Sequence, residues 1–265
     1  MKASKDDSLL QDNNDNNKDA EDWNAPLTLR EKIKLFLTIG NFGICALLFC
    51  SGALFHTYPN TPKIWDGLVI VMVALAIACF GILFPIMLAT PRLTRGRMKN
   101  PFSQNKSDEC MEEKLFNHIF PPLSALALFV CGWDGRRMAD TTISTTGVML
   151  VGAILLVAGQ LIVGLTFRAN EYAIVTICHQ QDQHLATTGI YRFVRHPMYT
   201  GNTLTFWGIP MALGGSIGSF IPMGLLILIF FLRTFHEERF LLDKFGDGYK
   251  RYQHETTSKI IPGIF

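Results

Sequence analysis

The chain has 265 residues, of which 49% are hydrophobic and only 17% are charged. A soluble domain usually carries about 25% charged residues, so this composition favours a membrane protein. The net charge of +2 and the lack of a basic run argue against binding of nucleic acid. The six cysteines contain no CxxC pair, so neither a disulfide framework nor a cysteine-based zinc site is predicted.

The chain opens with a polar tail, residues 1–30, which we predict to be disordered. Met1–Trp23 is rich in Asp, Asn and Lys and has almost no apolar content. Such a segment cannot bury enough apolar surface to offset its loss of conformational entropy, so it is predicted to be disordered. No apolar stretch follows a basic start within it, so it is not typical of a secretory signal.

Residues 31–167 are predicted to hold four transmembrane helices. Each apolar segment supplies the roughly 20 residues that are needed to cross about 30 Å of hydrocarbon. In the third segment, the pair Pro121-Pro122 should kink the helix or shift its start. The four segments are about Leu35–Phe55, Ile64–Ala89, Leu115–Trp133 and Ile143–Phe167.

Residues 168–265 are predicted to be the catalytic region, and they contain one more apolar block, Met198–Phe235. This block is too long for one simple span and is interrupted by Gly214-Gly215-Ser216. Two helices joined by a tight turn account for it, about Tyr199–Leu213 and Ile217–Phe235. The predicted fold class is therefore an all-α polytopic membrane protein with about six transmembrane helices, the last two forming a helix-turn-helix hairpin.

The positions of the cations favour six spans with both termini inside. With the N-terminus inside and alternating sides, 21 of the 24 Lys and Arg residues fall in inside segments, and only Lys63, Arg136 and Arg137 fall outside. This split agrees with the positive-inside rule. The catalytic region is then expected to face the cytoplasm, from the endoplasmic reticulum membrane of a eukaryote or the inner membrane of a bacterium. We find no convincing internal repeat, which weakens a transporter interpretation.

A polar segment, Glu171–Thr200, leads into the membrane at Pro197, a residue that suits the first position of a helix. Arg195 and His196 then lie at the N-terminal edge of that helix, where backbone N–H groups and the helix dipole favour an anion such as a ligand carboxylate. The alternative is a cationic anchor that reaches lipid headgroups, which we favour for Arg192. A metal site is not expected, because the three histidines of this region have no standard ligand spacing: His179, His184 and His196.

A second polar cluster, Arg233–Glu238, comes directly after the last predicted helix. Arg233 and Glu237 have i,i+4 spacing, so they share a helix face. The alternative is an ordinary surface ion pair, which would contribute at most about 1 kcal/mol. Because the cluster lies at the same membrane edge as His196, we favour a functional site. A carboxylate suits the hydroxyls or ammonium of a cofactor, and an arginine suits a substrate carboxylate.

The C-terminal tail is predicted to cap the site region. Leu241–Tyr252 should form an amphipathic helix or cap with Phe245, Tyr249 and Tyr252 on roughly one side. Simple packing of these aromatic side chains at the membrane interface explains the pattern equally well. The apolar end, Ile260–Phe265, is expected to fold back on the membrane domain.

Together these residues resemble the isoprenylcysteine carboxyl methyltransferase family, which belongs with the membrane phospholipid methyltransferases. The likeness covers roughly Arg168–Phe265. It rests on Tyr-Arg-Phe-Val-Arg-His-Pro-Met-Tyr-Thr-Gly from Tyr191, Arg-Thr-x-x-Glu-Glu from Arg233, Phe-Gly-x-x-Tyr-x-x-Tyr from Phe245, and a terminal Ile-Pro. The resemblance implies that S-adenosyl-L-methionine binds within the helical domain near the cytoplasmic surface.

The resemblance also implies roles for single residues. Arg233 is implied to orient the substrate carboxylate, and Arg233 and Arg195 are the residues that we expect to take part in catalysis. The cofactor is implied to contact Gln183, His184, Leu185, Ala186, Tyr191, His196, Pro197, Met198, Tyr199, Glu237 and the neighbouring Glu238.

The expected reaction is in-line transfer of a methyl group to the carboxylate of a prenylated cysteine, at the C-terminus of a CaaX-type protein. A carboxylate is already ionised at neutral pH, so proximity and alignment suffice without a general base. One alternative is another acceptor on the same fold, such as a phospholipid amine or a small lipophilic thiol or amine, with Glu238 or His236 as the base. The others are a sterol-reductase-like enzyme, for which the chain is short, and a non-catalytic membrane scaffold or transporter.

Overall fold

The chain folds as packed helices in its computed structural model, which describes residues 24–39, 62–98, 111–138, 146–173, 183–214 and 217–264. Within these ranges no β-strand occurs, which agrees with the predicted all-α class. A π-helical stretch, Ile77–Leu83, joins α2 to α3, and a 3₁₀ turn, Gly189–Arg192, precedes α7. The helices are α1 (residues 29–39), α2 (Pro62–Ala76), α3 (Phe84–Ala89), α4 (Pro91–Met98), α5 (Met111–Met138), α6 (Thr146–Ala169), α7 (Pro197–Ala212), α8 (Ile217–Phe245) and α9 (Asp247–Glu255).

Three helical stretches of the described chain are long and apolar enough to cross a membrane: Val69–Ala89, Thr146–Ala169 and Ile217–Phe245. A shorter apolar stretch, His118–Gly132, lies within α5. Large apolar side chains remain exposed on all three long stretches, as a lipid-facing surface requires. These features fit an integral membrane protein. The count of six spans and the inside location of both termini stay predictions, and most of the predicted first span, Leu35–Phe55, lies outside the described residues.

The third apolar segment forms a longer helix than the sequence predicts. α5 begins at Met111 and continues through Pro121-Pro122, so the prolines do not shift its start. Membrane helices tolerate proline where other groups bond the freed backbone atoms. One turn further on, the hydroxyl of Ser124 donates a hydrogen bond to the carbonyl of Phe120 at 2.6 Å, a bond within the helix that does not replace those lost at the prolines.

The last apolar block divides where the sequence predicts. α7 ends at Ala212 and α8 begins at Ile217. Gly214 has a φ of +67°, a backbone conformation that glycine adopts without steric cost. The other two residues of the predicted turn, Gly215 and Ser216, lie outside the described ranges.

The prediction that the last helix ends near Phe235 is wrong, because α8 continues to Phe245. Residues 236–245 contain neither glycine nor proline and are mostly good helix formers, so nothing ends the helix at the membrane edge. It ends only before Gly246, whose φ is +52°. The cluster Arg233–Glu238 therefore lies inside a helix rather than after one, which fixes the positions of its side chains.

α6 and α7 pack along a seam of small residues. Gly152 and Gly159 on α6 face Gly208 and Gly201 on α7, respectively, with a spacing of seven residues on each helix. A Cβ atom built on Gly159 would lie 2.4 Å from the carbonyl oxygen of Gly201, so the two backbones are in direct contact. Small residues allow this close approach, which is a common way for membrane helices to associate. The seam fixes the start of α7 against the end of α6.

The residues ahead of the first predicted span are tied to α4. Arg95 donates through Nε to Oε1 of Glu31 at 2.8 Å. Glu31 also accepts from the backbone N–H of Thr28 at 2.8 Å, in a capping box at the start of α1. These hydrogen bonds lower the pKa of Glu31 to about 2, and the bond from Arg95 has the largest effect. Residues 24–30 are thus anchored, so the disorder predicted for residues 1–30 does not extend to them. Residues 1–23 lie outside the described chain.

We expect Gly159→Ala to destabilise the fold, because its Cβ has no room against the backbone of α7. Overpacking of this kind typically costs about 1–3 kcal/mol. The matched control is Gly224→Ala on α8, where a Cβ would meet nothing within 4 Å. That variant should be as stable as the wild type or slightly more stable. Thermal unfolding in detergent measures both, and equal melting temperatures for Gly159→Ala and the wild type would contradict a tight seam.

Candidate active site

A cleft lies beside the start of α7, where the two polar clusters of the sequence meet. Its walls come from the end of α6, the segment that precedes α7, the last turns of α8, and α9. Its empty space amounts to about 830 Å³ including the open mouth.

Most of the predicted site residues line this cleft. The sequence clusters flank the hairpin of α7 and α8, so the hairpin returns them to the same edge of the bundle. Arg233 and Glu238 do not line the cleft, although both lie on the helix that carries Glu237. The predicted residues that line it are Gln183, His184, Leu185, Ala186, Tyr191, Arg195, His196, Pro197, Met198, Tyr199 and Glu237.

The hydroxyl of Tyr199 joins the cleft to Arg233. It donates a hydrogen bond to Oε2 of Glu237 at 2.9 Å and accepts one from Nε of Arg233 at 3.0 Å. The sequence predicts only that Arg233 and Glu237 share a helix face. The structure adds that a tyrosine from the neighbouring helix lies between them, with the carboxylate on the cleft side.

Beyond Tyr199, Arg233 lies among aromatic rings. Its guanidinium carbon is 3.6 Å from the centroid of the Phe116 ring on α5, and the residue is only 8% exposed. A desolvated cation–π contact of this type is worth about 2 kcal/mol or more. Phe230 extends this group of rings, stacked on Tyr199 with centroids 5.1 Å apart. The site thus has a polar cleft at one end and an aromatic, cationic region at the other.

Residues 256–260, which we call the C-terminal strap, cross the start of α7. The N–H groups of Arg195 and His196 donate to the carbonyls of Ser258 and Lys259 at 3.0 and 2.9 Å. The hydroxyl of Thr200 donates to the carbonyl of Ile260 at 2.6 Å. Ile260 is buried, so this residue folds back on the helices as predicted for the apolar end of the chain. The strap carbonyls therefore accept hydrogen bonds from two backbone N–H groups that the sequence predicts to bind a ligand anion.

Arg195 binds the strap as well. Its Nη1 donates to the carbonyls of Thr256 and Thr257, both at 2.7 Å. Its Nε donates to Oε1 of Glu238 at 2.7 Å, and Lys259 lies 3.3 Å from the other oxygen of that carboxylate. A catalytic role for Arg195 stays a prediction, but these contacts are those of a residue that holds the strap, α7 and α8 together.

His196 lies between two carboxylates. Its Nδ1 is 3.5 Å from Glu237 and its Nε2 is 3.5 Å from Glu238. Its ring stacks on Tyr199 with centroids 5.7 Å apart. His196 is thereby the side chain through which the cleft-lining Glu237 and the strap-binding Glu238 are connected.

Two contacts hold the segment Gln183–Ala186 at the cleft. Lys244 on α8 donates to Oε1 of Gln183 at 2.5 Å. The ring of His184 meets Tyr172 edge-on, with centroids 4.9 Å apart. One partner lies on α8 and the other just after α6, so the segment contacts both.

Sequence reasoning missed several lining residues. Tyr249 and Tyr252 lie on the predicted amphipathic side of the tail, a pattern that does not distinguish a site from packing at the membrane interface. Their i,i+3 spacing beside the Glu237 helix is the available signal. The residues after α6 carry no local signal, because only the tertiary fold brings them to α7. The missed residues are Asn170, Tyr172, Ala173, Phe240, Leu241, Phe245, Tyr249 and Tyr252.

Three tyrosines of the cleft, Tyr191, Tyr249 and Tyr252, differ in their hydrogen bonds. Asn170 donates through Nδ2 to the hydroxyl of Tyr191 at 3.1 Å, and the hydroxyl of Tyr252 donates to the carbonyl of Tyr191 at 2.8 Å. The hydroxyl of Tyr249 is buried without a hydrogen-bond partner among the described residues. Burial raises the pKa of all three phenols, so they stay protonated at neutral pH.

This lining fits S-adenosyl-L-methionine, the cofactor that the family resemblance implies. The rings of Tyr172, Phe240 and Phe245 provide faces for a planar base and for a cationic sulfonium. The carboxylate of Glu237 suits hydroxyl and ammonium groups. A hydrogen-bond acceptor on the cofactor, placed next to the hydroxyl of Tyr249, would pair a buried donor that is costly to leave unpaired.

Comparison with known proteins supports the family resemblance. Residues 148–248 match the family described as phospholipid methyltransferase. The chain is similar to methanethiol S-methyltransferase 1 from Bradyrhizobium diazoefficiens, with 28% identity over 163 residues that cover 54% of this chain and 52% of the relative.

Two further relatives carry the name protein-S-isoprenylcysteine O-methyltransferase. One, from Schizosaccharomyces pombe, is 36% identical over 87 residues, which cover 33% of this chain and 37% of the relative. The other, from Dictyostelium discoideum, is 33% identical over 127 residues, which cover 46% and 53%. The chain thus spans about half the length, or less, of these three curated relatives. These matches support the predicted resemblance to this family group.

We expect Arg195→Met to destabilise the protein, because it leaves Glu238 and the strap carbonyls without their buried partner. Breaking a buried ion pair in this way costs about 3–5 kcal/mol. The control is Arg192→Met, an exposed arginine of the same segment, which should melt like the wild type. Thermal unfolding without ligand measures the loss, and limited proteolysis should show faster cleavage in residues 256–264. Equal melting of both variants would contradict this account of the strap.

Proposed function

We propose, from the match of residues 148–248 to the phospholipid methyltransferase family, that this chain is an integral-membrane methyltransferase that uses S-adenosyl-L-methionine and methylates the carboxylate of prenylated cysteine. The observation that carries the proposal is the chain of hydrogen bonds from Glu237 through Tyr199 to Arg233. It links the polar groups of the cleft to a cation in an apolar, aromatic surrounding. A methyl acceptor with an anionic head and a lipid tail suits that second surrounding.

The cleft would hold the cofactor between α8 and the end of α6. We assign its contacts to Gln183–Ala186, Tyr191, His196–Tyr199 and Glu237, with Glu238 acting through His196. When bound, S-adenosyl-L-methionine supplies a methyl group on a sulfonium, which a nucleophile takes while the electron pair of the broken C–S bond stays on sulfur. The protein's part is to hold the donor group toward Tyr199 and Arg233.

Arg233 would bind one oxygen of the acceptor carboxylate and leave the other to attack the methyl carbon. The attack forms a C–O bond, and no proton moves, because a carboxylate is already ionised at neutral pH. The rings of Phe116 and Phe230 keep water away from Arg233, which strengthens its attraction for an anion. Alignment and desolvation would therefore supply the rate enhancement.

The second candidate acceptor is a small lipophilic thiol. The relatives named methanethiol S-methyltransferase favour it, and so does the close packing of the aromatic rings beside Arg233, where Phe120 and Phe230 have centroids 4.9 Å apart. A thiol has a pKa of about 8.5, so it must lose a proton before or during attack. We assign the role of base in that case to Glu237, which Tyr199 holds in place.

The acceptor is tested by transfer of a labelled methyl group in membranes that carry the protein. With N-acetyl-farnesylcysteine as acceptor, we expect label that base releases as methanol, the signature of a carboxyl methyl ester. Volatile labelled dimethyl sulfide from methanethiol, without transfer to farnesylcysteine, would instead support the thiol acceptor. Label in phosphatidylethanolamine alone would move the function to a lipid amine, and failure to bind labelled cofactor would overturn the methyltransferase.

The two ends of the site should separate in mutants. We expect Arg233→Ala to raise the KM for the acceptor at least about tenfold, which is about 1.4 kcal/mol, while the Kd for the cofactor stays within about threefold. Glu237→Ala should instead raise the Kd for the cofactor and leave the KM for the acceptor nearly unchanged. Arg239→Ala, an exposed arginine on the same helix, should change neither value. Steady-state kinetics and equilibrium binding provide these values, and equal loss of both affinities in Arg233→Ala would contradict its assignment to the acceptor.

A further inference from the structure

Arg97 on α4 lies behind the cleft and contacts two of its walls. Its Nε and Nη2 both donate to the carbonyl of Ala173, at 2.9 and 2.6 Å. Its Nη2 also lies 3.4 Å from the sulfur of Met198. Ala173 follows the end of α6, Met198 is the second residue of α7, and both line the cleft.

Packing fixes the guanidinium in this position. Its central carbon lies 4.1 Å from the centroid of the Phe167 ring, which is buried in the last turn of α6. Burial lowers the pKa of Arg97 to about 10, so the side chain remains a cation at neutral pH. A charged, planar donor held over a ring and bonded twice to one carbonyl has little freedom to move. Arg97 therefore sets where Ala173 lies relative to Met198.

The three arginines of α4 have different partners. Arg92 contacts the ring of a lining residue, with the guanidinium carbon 4.5 Å from the centroid of Tyr172. Arg95 bonds instead to Glu31 on α1. Positions 95 and 97 are about 200° apart around a helix, so they point to opposite sides. One short helix thus supports the cleft on one side and anchors the N-terminal segment on the other.

We infer that Arg97 is a positioning residue for cofactor binding, which acts by holding the end of α6 and the start of α7 at the separation that the cofactor requires. The inference rests on the proposed function. It adds a residue from outside residues 148–248, the region that matches the family. Arg97 itself does not line the cleft, so its effect passes through Ala173 and Met198.

The test is the affinity of the purified protein in detergent for S-adenosyl-L-methionine, measured by isothermal titration calorimetry together with the melting temperature without ligand. We expect Arg97→Ala to raise the Kd at least about tenfold, or about 1.4 kcal/mol. Arg95→Ala is the matched control, since it removes an equally anchored arginine from the same helix. It should lower the melting temperature and leave the Kd within about threefold of the wild-type value.

Arg97→Lys extends the test if Arg97→Ala does not fold. Lysine keeps the charge and most of the stem over Phe167, but it cannot present the planar pair of donors, so we expect an intermediate rise in Kd. An unchanged Kd in a folded Arg97 variant would overturn the inference, and so would an equal rise in Arg95→Ala. If the wild-type protein itself binds no cofactor, the proposed function fails, and the inference fails with it.

Discussion

The cleft depends on the buried ion pair between Arg195 and Glu238. Each charge would be expensive to bury alone, and the pair is stable only because the remaining donors and acceptors are also satisfied. Arg195 meets that condition with two strap carbonyls, and Glu238 meets it with Lys259. One interaction therefore joins the start of α7, the last turns of α8 and the C-terminal strap. The start of α7 and the last turns of α8 line the cleft, and the strap holds them without lining it.

The opposite side is fixed by a different kind of contact. Along the seam of α6 and α7 the backbones touch at Gly159 and Gly201, which leaves no freedom for one helix to slide on the other. Arg97 continues this support past the end of α6, where the seam has ended. The polar contacts of Arg195 and Arg97 thus hold the helix ends, and close backbone packing holds α6 against α7 between those ends.

The sequence predicts the meeting of the two polar clusters correctly, because a hairpin must return its second helix to the edge where the first began. It fails where the cause is not local. Propensity could have extended α8 to Phe245, since no breaker precedes Gly246, but the apolar pattern ended at Phe235 and misplaced the helix end. The strap and Arg97 depend on contacts between distant segments. Nothing in the spacing of Arg92, Arg95 and Arg97 indicates which of them faces a site.

Under the proposed function, the cofactor end and the acceptor end of the site are formed by different parts of the chain. The proposed cofactor end lies almost wholly within residues 148–248, the region that matches the family model, and the similar proteins are named for different acceptors. The acceptor end is different, because the ring that covers Arg233 is Phe116 on α5, outside that region. One cofactor cleft could then supply the methyl group to a carboxylate, a thiol or an amine, provided that the side chains around the acceptor, beyond Tyr199, differ. Under this proposal, selectivity among acceptors would depend on how α5, which lies outside the matched region, packs against α8.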